Sequence, residues 1–289
     1  MRILITGMNG QVGSALVRQA KAQGHDVIAI SREQWDMALL PEHGEVLVEK
    51  LKPDLVINPA AYTNVDGAED DEVVAMKVNA DAPRALAKGC QQQDIPLFHV
   101  STDYVFDGIK EEPYVETDQT NPINVYGRTK LAGELAIHEE TKKYIILRTS
   151  WVFSKDGKNF MNTILKLAKE RDELQVVNDQ FGGPTGADCI AKVLLQLSTA
   201  HKEQWGIYHY SGMPHVSWVE FARKIVEQAV KHSKLDKAPD IKSCGSIEFT
   251  VKAKRPSNSR LSSKKLEKIF RESACDWKSL VEDFILNTK

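Results

Sequence analysis

Short apolar runs alternate with helix-like segments through the first half of this sequence. The apolar runs are rich in isoleucine, valine and leucine and occupy residues 3–5, 27–30, 55–57, 97–100 and 145–147. The segments between them that favour helix are residues 12–23, 45–52, 72–92 and 126–142. Continuous apolar runs of this length are typical of strands buried on both faces, and strands that alternate with helices form parallel sheets. The sequence therefore predicts an α/β fold with a doubly wound parallel sheet.

The alternation loosens after residue 150. Further helices are predicted at residues 159–169, 187–197 and 217–230, and a short strand at residues 174–177. Ser217 and Glu220 have the capping-box spacing that opens a helix. We therefore predict a Rossmann-type NADP-binding domain over residues 1–150. Residues 151–289 are predicted to form a smaller, mainly substrate-binding region that is interleaved with returns to the main sheet.

A glycine-rich turn follows the first predicted strand and opens the first predicted helix. Its spacing is G-x-x-G-x-x-G, and its candidate cofactor residues are Gly7, Asn9, Gly10, Gln11, Val12 and Gly13. Glycines permit a tight turn and let the backbone approach a pyrophosphate, while the helix N-terminus presents free N–H groups to the anion. Plain turn chemistry is the alternative interpretation. The position at the first strand-to-helix turn favours a dinucleotide.

The residues after the second and third strands indicate which dinucleotide binds. A carboxylate at the end of the second strand would hold an unphosphorylated ribose, but Ser31 and Arg32 stand there instead. A hydroxyl and a guanidinium suit a 2′-phosphate, which predicts NADPH as the cofactor, with NADH as a second, weaker donor. Asp36 and Met37 are predicted to flank the adenine. After the third strand, small residues would let the cofactor lie against the backbone of Ala60, Ala61 and Tyr62.

Tyr126 and Lys130 lie one turn apart on a predicted helix and therefore share a face. A phenol titrates near pH 10, so it is a poor acid–base group at neutral pH unless a nearby cation stabilises its phenolate. Lys130 is placed to do that, although a solvated surface pair is the alternative. After the fourth strand come Thr102, Asp103 and Tyr104, which could instead cap a helix.

Charge and cysteine content exclude several classes of function. The 289 residues carry a net charge of −2 with scattered basic side chains, which argues against nucleic-acid and membrane partners. The first apolar run, Ile3-Leu4-Ile5, is too short for the core of a signal peptide. No apolar run approaches membrane-spanning length, so the sequence predicts a cytoplasmic protein. The cysteines are far apart in sequence, so we expect no disulfide and no metal site.

Three motifs together resemble the extended short-chain dehydrogenase/reductase family: the glycine turn, Ser-Thr-Asp-Tyr-Val-Phe-Asp-Gly, and Tyr-Gly-Arg-Thr-Lys preceded by Asn-Pro-Ile-Asn. Within that family, four further segments resemble the dTDP-4-dehydrorhamnose reductases, namely residues 58–66, 148–152, 179–185 and 255–260. The resemblance runs essentially end to end. It implies NADPH-dependent reduction of the C4 keto group of dTDP-4-dehydro-L-rhamnose to dTDP-L-rhamnose, the final step that supplies this sugar for cell-surface polysaccharide.

The resemblance also implies roles for individual residues. Tyr126 would donate the proton, Lys130 would lower the tyrosine pKa and contact the nicotinamide ribose, and Thr102 would hydrogen-bond the reacting oxygen. Asn79 matches an asparagine that holds the active-site architecture. The sugar nucleotide would contact Val65, Thr102, Asp103, Tyr104, Tyr126 and Trp151, with Arg255 and Arg260 as candidates for its diphosphate.

Two departures from related patterns limit these implications. Related dehydratases carry a glutamate where this chain has Tyr104, and a phenol cannot replace that carboxylate base, which argues for simple reduction. Some reductases of this type carry a glutamate in the first helix that helps hold a metal between subunits. This chain has Ala15 there, which leaves a homodimer an open expectation and puts metal-linked dimerisation in doubt.

Two other functions stay open at this point. A sugar-nucleotide 4-epimerase would use the same Tyr126, Lys130 and Thr102 but retain NAD tightly, and the absence of a carboxylate after Ile30 argues against it. A non-catalytic regulatory subunit would keep the fold to bind a partner, although it has no physical reason to keep an activated tyrosine. Residues 107–124 form a long loop that could fold over a ligand.

Overall fold

The first half of the chain contains the predicted alternation of strands and helices. The computed structural model describes residues 1–200, 204–271 and 273–287. In chain order its first elements are β1 Arg2–Ile5, α1 Gln11–Ala22, β2 Asp26–Ala29, α2 His43–Leu51, β3 Leu55–Asn58, α3 Val65–Asp70, α4 Glu72–Met76, a π-helix Lys77–Asp81, α5 Ala82–Gln92, β4 Leu97–Thr102, a 3₁₀ turn Asp103–Val105, α6 Val125–Glu140 and β5 Tyr144–Thr149.

In the second half, the described residues form five helices of different lengths and several short strands. These elements are β6 Val152–Phe153, α7 Phe160–Glu170, β7 Glu173–Val177, β8 Phe181–Gly182, β9 Thr185–Gly186, α8 Ala187–Ala200, β10 Gly206–His209, β11 Gly212–Met213, β12 Val216–Ser217, α9 Trp218–Lys231, β13 Asp240–Cys244, a 3₁₀ turn Ser246–Glu248, β14 Asn258–Ser259, α10 Lys264–Phe270, β15 Cys275–Asp276 and α11 Trp277–Leu286.

The main sheet has six parallel strands in the order β10-β5-β4-β3-β1-β2. Side chains alternate between its faces, so Ile3 and Ile5 pack with α1 and α8, while Leu4 packs with α2 and α5. Helices on both faces explain why the strands are continuously apolar. The predicted doubly wound parallel sheet is confirmed.

The predicted helix over residues 72–92 is divided into three pieces. It consists of α4, the π-helix Lys77–Asp81 and α5, and Pro83 lies in the first turn of α5. The π-helix directs the side chain of Asn79 inward. There its Oδ1 accepts from Tyr62 N–H at 2.8 Å, and its Nδ2 donates to Thr129 Oγ1 at 3.0 Å. A π-helix inside an α-helix is frequent at functional sites. Asn79 thereby connects the segment between β3 and β4 to α6.

The loop over residues 107–124 is anchored to the second half of the chain. Tyr114 is 3% exposed and stacks on Phe106 with ring centroids 4.1 Å apart. Its N–H donates to Arg260 O at 2.8 Å, and Asn258 Nδ2 donates to the carbonyl oxygens of Lys110 and Glu112. The loop is therefore tied to β14. Among the described helices, none is long and apolar enough to cross a bilayer.

Candidate active site

A cleft of about 1010 Å³ opens at the carboxyl ends of β1, β3 and β4, between the main sheet and the second half of the chain. Every cofactor residue proposed from the sequence lines this cleft, from the glycine turn to Tyr62. The predicted catalytic residues Thr102, Tyr126 and Lys130 line it as well, together with Val65, Asp103, Tyr104 and Trp151. No residue of the 107–124 loop lines it. One cavity thus joins the candidate cofactor and substrate sites.

The glycine turn fits the pyrophosphate of a dinucleotide. Gly7 has φ +57°, and a Cβ placed there would come within 3.0 Å of Ala60. A Cβ at Gly13 would lie 2.0 Å from Gly7 O, so the turn can close only with glycine at that position. The N-cap of α1 is Gly10, which has no side chain to satisfy the first N–H groups of the helix. These groups remain free for an anion.

The side chains of Arg32 and Asp36, after β2, line the edge of the cleft. Arg32 is an exposed side chain whose Nε donates to Asp36 Oδ2 at 3.1 Å. Asp36 also accepts from Ala38 N–H at 2.9 Å, which fixes the carboxylate at the cleft edge. A guanidinium held this way can turn toward a 2′-phosphate at little cost, because exposed ion pairs are weak.

Helix α6 brings Tyr126 to the cleft. Asn124 is its N-cap, with Oδ1 accepting from Gly127 N–H at 2.8 Å and Nδ2 donating to Lys254 O at 2.7 Å. A Cβ at Gly127 would lie 2.2 Å from Tyr104 O, so glycine allows the helix start to pack on the 3₁₀ turn after β4. The rings of Tyr104 and Tyr126 then meet edge to face, 5.5 Å apart. The sequence prediction started this helix one residue late and did not use Asn124.

Lys130 points inward from α6 and is 1% exposed. Its Nζ donates to Val100 O at 2.8 Å and lies 3.0 Å from His99 Nε2. Burial lowers the pKa of Lys130 to about 8, although the nearby Glu134 carboxylate raises it. Two groups of β4, a backbone carbonyl and an imidazole, therefore hold the amino group.

The phenol of Tyr126 is protonated at neutral pH. Burial raises the pKa of Tyr126, and a hydrogen bond with Thr102 partly offsets that effect. This direction is opposite to the lowering expected from Lys130, because removal of the phenol from water raises the pKa and the nearby Asp103 carboxylate raises it further. A protonated phenol is the form that a reduction consumes.

Asp103 lies at the inner wall of the cleft. It is 3% exposed, its Oδ1 accepts from Thr102 Oγ1 at 3.1 Å, and its Oδ2 has no hydrogen-bond partner among the described residues. Burial raises the pKa of Asp103 to about 7. Asp103 lines the cleft, so its carboxyl group is a candidate for hydrogen bonding to a ligand.

We expect Asp103 to make the protein less stable as pH rises. The folded carboxyl binds its proton more tightly than the unfolded one, whose pKa is about 4, so the stabilising contribution is complete below about pH 4 and is lost as pH rises through 7. The loss should be roughly 2 to 4 kcal/mol. Urea unfolding of the wild type and of Asp103→Asn, below about pH 5 and above about pH 8, measures it. An identical pH dependence in the two proteins would contradict the assignment.

Two stacked indoles form the wall of the cleft on the side of the second half. Trp151 has φ +49° and stacks on Trp218 with ring centroids 3.5 Å apart. A Cβ at Gly182 would lie 2.5 Å from Trp151 Cε2, so glycine leaves room for the indole. The sequence analysis identified the capping box that positions Trp218 but not the indole itself. A flat aromatic surface of this kind suits packing against a sugar or base.

Gln11 links the glycine turn to the second half of the chain. Its Oε1 accepts from Ser154 Oγ at 2.7 Å and from Asn159 Nδ2 at 3.1 Å. The same residue begins α1, so the backbone that would hold the cofactor and the region that would hold the substrate share one side chain. Sequence analysis assigned Gln11 to the cofactor alone.

Arg255 and Arg260 lie outside the lining of the cleft. Arg255 pairs with Asp66, with Nη2 2.8 Å from Oδ2, next to the cleft residue Val65. Arg260 donates from Nε to Asn258 Oδ1 at 2.8 Å and from Nη2 to Glu111 O. Both guanidinium groups are thus engaged with the protein. Among the described residues, no cluster of three histidine, cysteine or carboxylate side chains could hold a metal ion, and Ala15 is buried in α1.

Known proteins are similar to this chain over nearly its whole length. The model of the RmlD substrate binding domain family matches residues 1–289. The dTDP-4-dehydrorhamnose reductase of Burkholderia thailandensis is 42% identical, with 97% of each chain covered. The dTDP-4-dehydrorhamnose reductase of Escherichia coli strain K12 is 39% identical, with 96% of this chain and 94% of the relative covered.

Solved structures extend the agreement to three dimensions. A dTDP-4-dehydrorhamnose reductase from Clostridium acetobutylicum has a TM-score of 0.91 at 35% identity, covering 99% of this chain and 98% of that one. The Bacillus anthracis enzyme, in complex with NADP, has a TM-score of 0.91 at 33% identity, covering 99% of each chain. A UDP-glucose 4-epimerase from Thermus thermophilus shares the fold at 19% identity. The chain therefore belongs to the RmlD substrate binding domain family, the family of the dTDP-4-dehydrorhamnose reductases.

Proposed function

We propose that this protein reduces the C4 keto group of dTDP-4-dehydro-L-rhamnose with NADPH, yielding dTDP-L-rhamnose in the final step of its biosynthesis. The observation that carries the proposal is the single cleft lined by the glycine turn, Thr102, Tyr126 and Lys130, in a chain of this family. The Bacillus anthracis relative in complex with NADP supports the choice of cofactor.

The residues of the cleft divide the chemistry between them. NADPH, when bound, supplies the hydride. Tyr126, a protonated phenol on the cleft wall, gives its proton to the oxygen that becomes an alkoxide. Thr102 lies beside Tyr126 and Asp103 and can hydrogen-bond the same oxygen. Lys130 holds a positive charge near the phenolate that remains, which stabilises it until the proton is replaced.

The cleft does not suit elimination of water. A dehydratase needs a carboxylate base beside Asp103, and this chain has Tyr104 there. Burial raises the pKa of Tyr104, so its phenol keeps its proton at neutral pH and cannot abstract one from the sugar. Simple reduction is the reaction that the side chains of this wall support.

The proposal is tested by following nicotinamide absorbance with NADPH and dTDP-4-dehydro-L-rhamnose generated in situ. We expect oxidation of NADPH that depends on the sugar nucleotide and yields dTDP-L-rhamnose. Reactions without sugar nucleotide are the control for background oxidation. A protein that binds NADPH but leaves it unoxidised in the presence of this substrate would disprove the proposed reaction while leaving the cofactor site intact.

Arg32→Ala should raise the KM for NADPH about tenfold or more, while the KM for NADH changes little, because only NADPH carries the 2′-phosphate. Arg18→Ala is the matched control, since Arg18 is an exposed arginine that pairs with Asp188 away from the cleft. Steady-state kinetics with both cofactors measures the effect. Equal changes for NADPH and NADH would show that Arg32 does not contact the phosphate.

The cellular setting and the assembly are predictions that accompany the proposed reaction. We propose a cytoplasmic location, as expected from the sequence, and a homodimer as the assembly to be tested. Light scattering of the purified protein, with and without added magnesium, measures the oligomeric state. Ala15 predicts that magnesium leaves the assembly unchanged.

A further inference from the structure

A row of polar side chains crosses the buried main sheet behind the cleft. Thr6 follows β1, Asn58 ends β3, and His99 lies opposite Asn58 in β4. Each of the three is 0% exposed. Thr6 Oγ1 donates to Asn58 Oδ1 at 2.5 Å, and Asn58 Nδ2 lies 3.1 Å from His99 Nδ1. Three adjacent strands thus place one hydrogen-bonded chain on a single face of the sheet.

The row ends on the lysine of the candidate active site. His99 Nε2 lies 3.0 Å from Lys130 Nζ, which also donates to Val100 O. Thr6 and Lys130, at the two ends, line the cleft, whereas Asn58 and His99 lie behind it. Burying a polar group destabilises a protein unless the group is hydrogen-bonded. Four buried polar side chains joined in one row therefore indicate a role that depends on the hydrogen bonds between them.

We propose that His99 is a positioning residue for the reduction, fixing the amino group of Lys130 beside Tyr126, while Asn58 and Thr6 fix the orientation of its imidazole. The proposal rests on the proposed function, because the lysine matters through the tyrosine that it serves. His99 itself acts through Lys130.

An uncharged imidazole can serve Lys130 in both of its charge states. Burial and the charge of Lys130 lower the pKa of His99 well below its ordinary value, so the ring has one donor and one acceptor nitrogen. When Lys130 is an ammonium, Nε2 accepts from it. Nδ1–H can then donate to Asn58 Oδ1 if the Asn58 amide turns over from its observed orientation, and Thr6 Oγ1 would accept from Nδ2 instead of donating to Oδ1. When Lys130 is an amine, Nε2–H donates to it and Nδ1 accepts from the Asn58 amide nitrogen. A terminal amide offers both kinds of atom, so the row can satisfy its buried groups in either state.

Other titratable groups lie near Lys130, but their hydrogen bonds are made mainly to other residues. Glu134 lies one turn later on α6, but its carboxylate accepts from Arg148 at 2.6 Å and from Ser101 at 2.5 Å. Tyr126 lies one turn earlier, and Asp103 acts on Tyr126 rather than directly on the lysine. His99 is therefore the side chain that meets Nζ through a hydrogen bond.

Two substitutions separate the contact with Lys130 from the polarity of the row. In His99→Gln the amide reaches the place of Nε2, so the contact with Lys130 is kept. In His99→Asn the shorter side chain reaches only the place of Nδ1, so the contact with Asn58 is kept and that with Lys130 is lost. Both variants retain a polar, uncharged side chain in the same buried position.

We expect His99→Asn to lower kcat about 10- to 100-fold, with the KM for the sugar nucleotide and the Kd for NADPH changed less than about threefold. His99→Gln should recover most of kcat. Thermal unfolding of each variant is measured alongside. Wild-type kcat in His99→Asn, or parallel losses of kcat and thermal stability in both variants, would overturn the proposal.

A second measurement does not depend on turnover. The pKa of Lys130 is measured in the cofactor-free protein by NMR of carbon-labelled lysine, with Lys130→Met identifying the resonance. Without the Nε2 acceptor the buried ammonium loses a partner, so His99→Asn should lower this pKa, whereas His99→Gln should not. An unchanged or raised pKa in His99→Asn would overturn the positioning role. If the pKa moves as expected but the wild type leaves dTDP-4-dehydro-L-rhamnose unreduced, the proposed function fails and the positioning of Lys130 stands.

Discussion

Tyr126→Phe should bind NADPH within about threefold of the wild type and lose about 10²- to 10⁴-fold in kcat, the range that a positioned proton donor contributes. Phenylalanine keeps the ring and its edge-to-face contact with Tyr104 and removes only the hydroxyl that supplies the proton. Fluorescence titration measures binding, and NADPH oxidation with the sugar nucleotide measures turnover.

Tyr104→Phe provides the contrast for this variant. It removes a phenol hydroxyl from the same wall of the cleft, 5.5 Å away between ring centroids, but from a residue that we assign to substrate contact. Its effect should therefore fall mainly on the KM for the sugar nucleotide. Turnover near that of the wild type in Tyr126→Phe would remove this residue as the proton donor.

Glu134→Leu should lower the free energy of unfolding by about 3 to 5 kcal/mol, the cost of breaking a buried ion pair. The side chains of Glu134 and Arg148 are 2% and 3% exposed, with Nη2 2.6 Å from Oε2 and Nε 2.9 Å from Oε1. Leucine would leave the Arg148 guanidinium buried against Phe106 without its carboxylate. Urea unfolding at neutral pH measures the change.

Two controls separate the buried pair from general effects of the substitution. Glu139→Leu removes an exposed carboxylate from the same helix, where it pairs with Arg84, and should cost less than about 1 kcal/mol. Adding Arg148→Met to Glu134→Leu should recover most of the lost stability, because no unpaired charge then remains. A loss in Glu134→Leu no larger than that in Glu139→Leu would show that the pair contributes little.

Strands β1, β3, β4 and β5 could be predicted because they are largely buried and therefore appear as apolar runs, and the half-buried edge strand β2 could be predicted from its own apolar run. Strand β10 could not, since its sequence Gly-Ile-Tyr-His is short and mixed in polarity, and it becomes a strand by pairing with β5. The π-helix was also missed, because the packing of Asn79 against Tyr62 and Thr129 decides it rather than local propensity.

The residues of the site likewise divide into those that local sequence predicts and those that only contacts between distant segments reveal. Residues at the ends of predicted strands were expected at the cleft because parallel strands deliver their carboxyl ends to one edge. Trp218 was missed because its role depends on stacking with Trp151, which lies far away in sequence. His99 was missed because a histidine within an apolar run resembles a core residue until its partner on α6 is known.

The place of β10 in the sheet bears on how the chain is made. Synthesis proceeds from the N-terminus, and domains generally fold as their residues leave the ribosome. Strand β5 is complete at Thr149, but the strand that pairs with its outer side begins at Gly206. Until those residues emerge, the nascent sheet exposes an apolar edge with unpaired backbone groups, the kind of edge that invites aggregation. The outer edge of β5 is therefore covered only after the residues up to His209 have been synthesised.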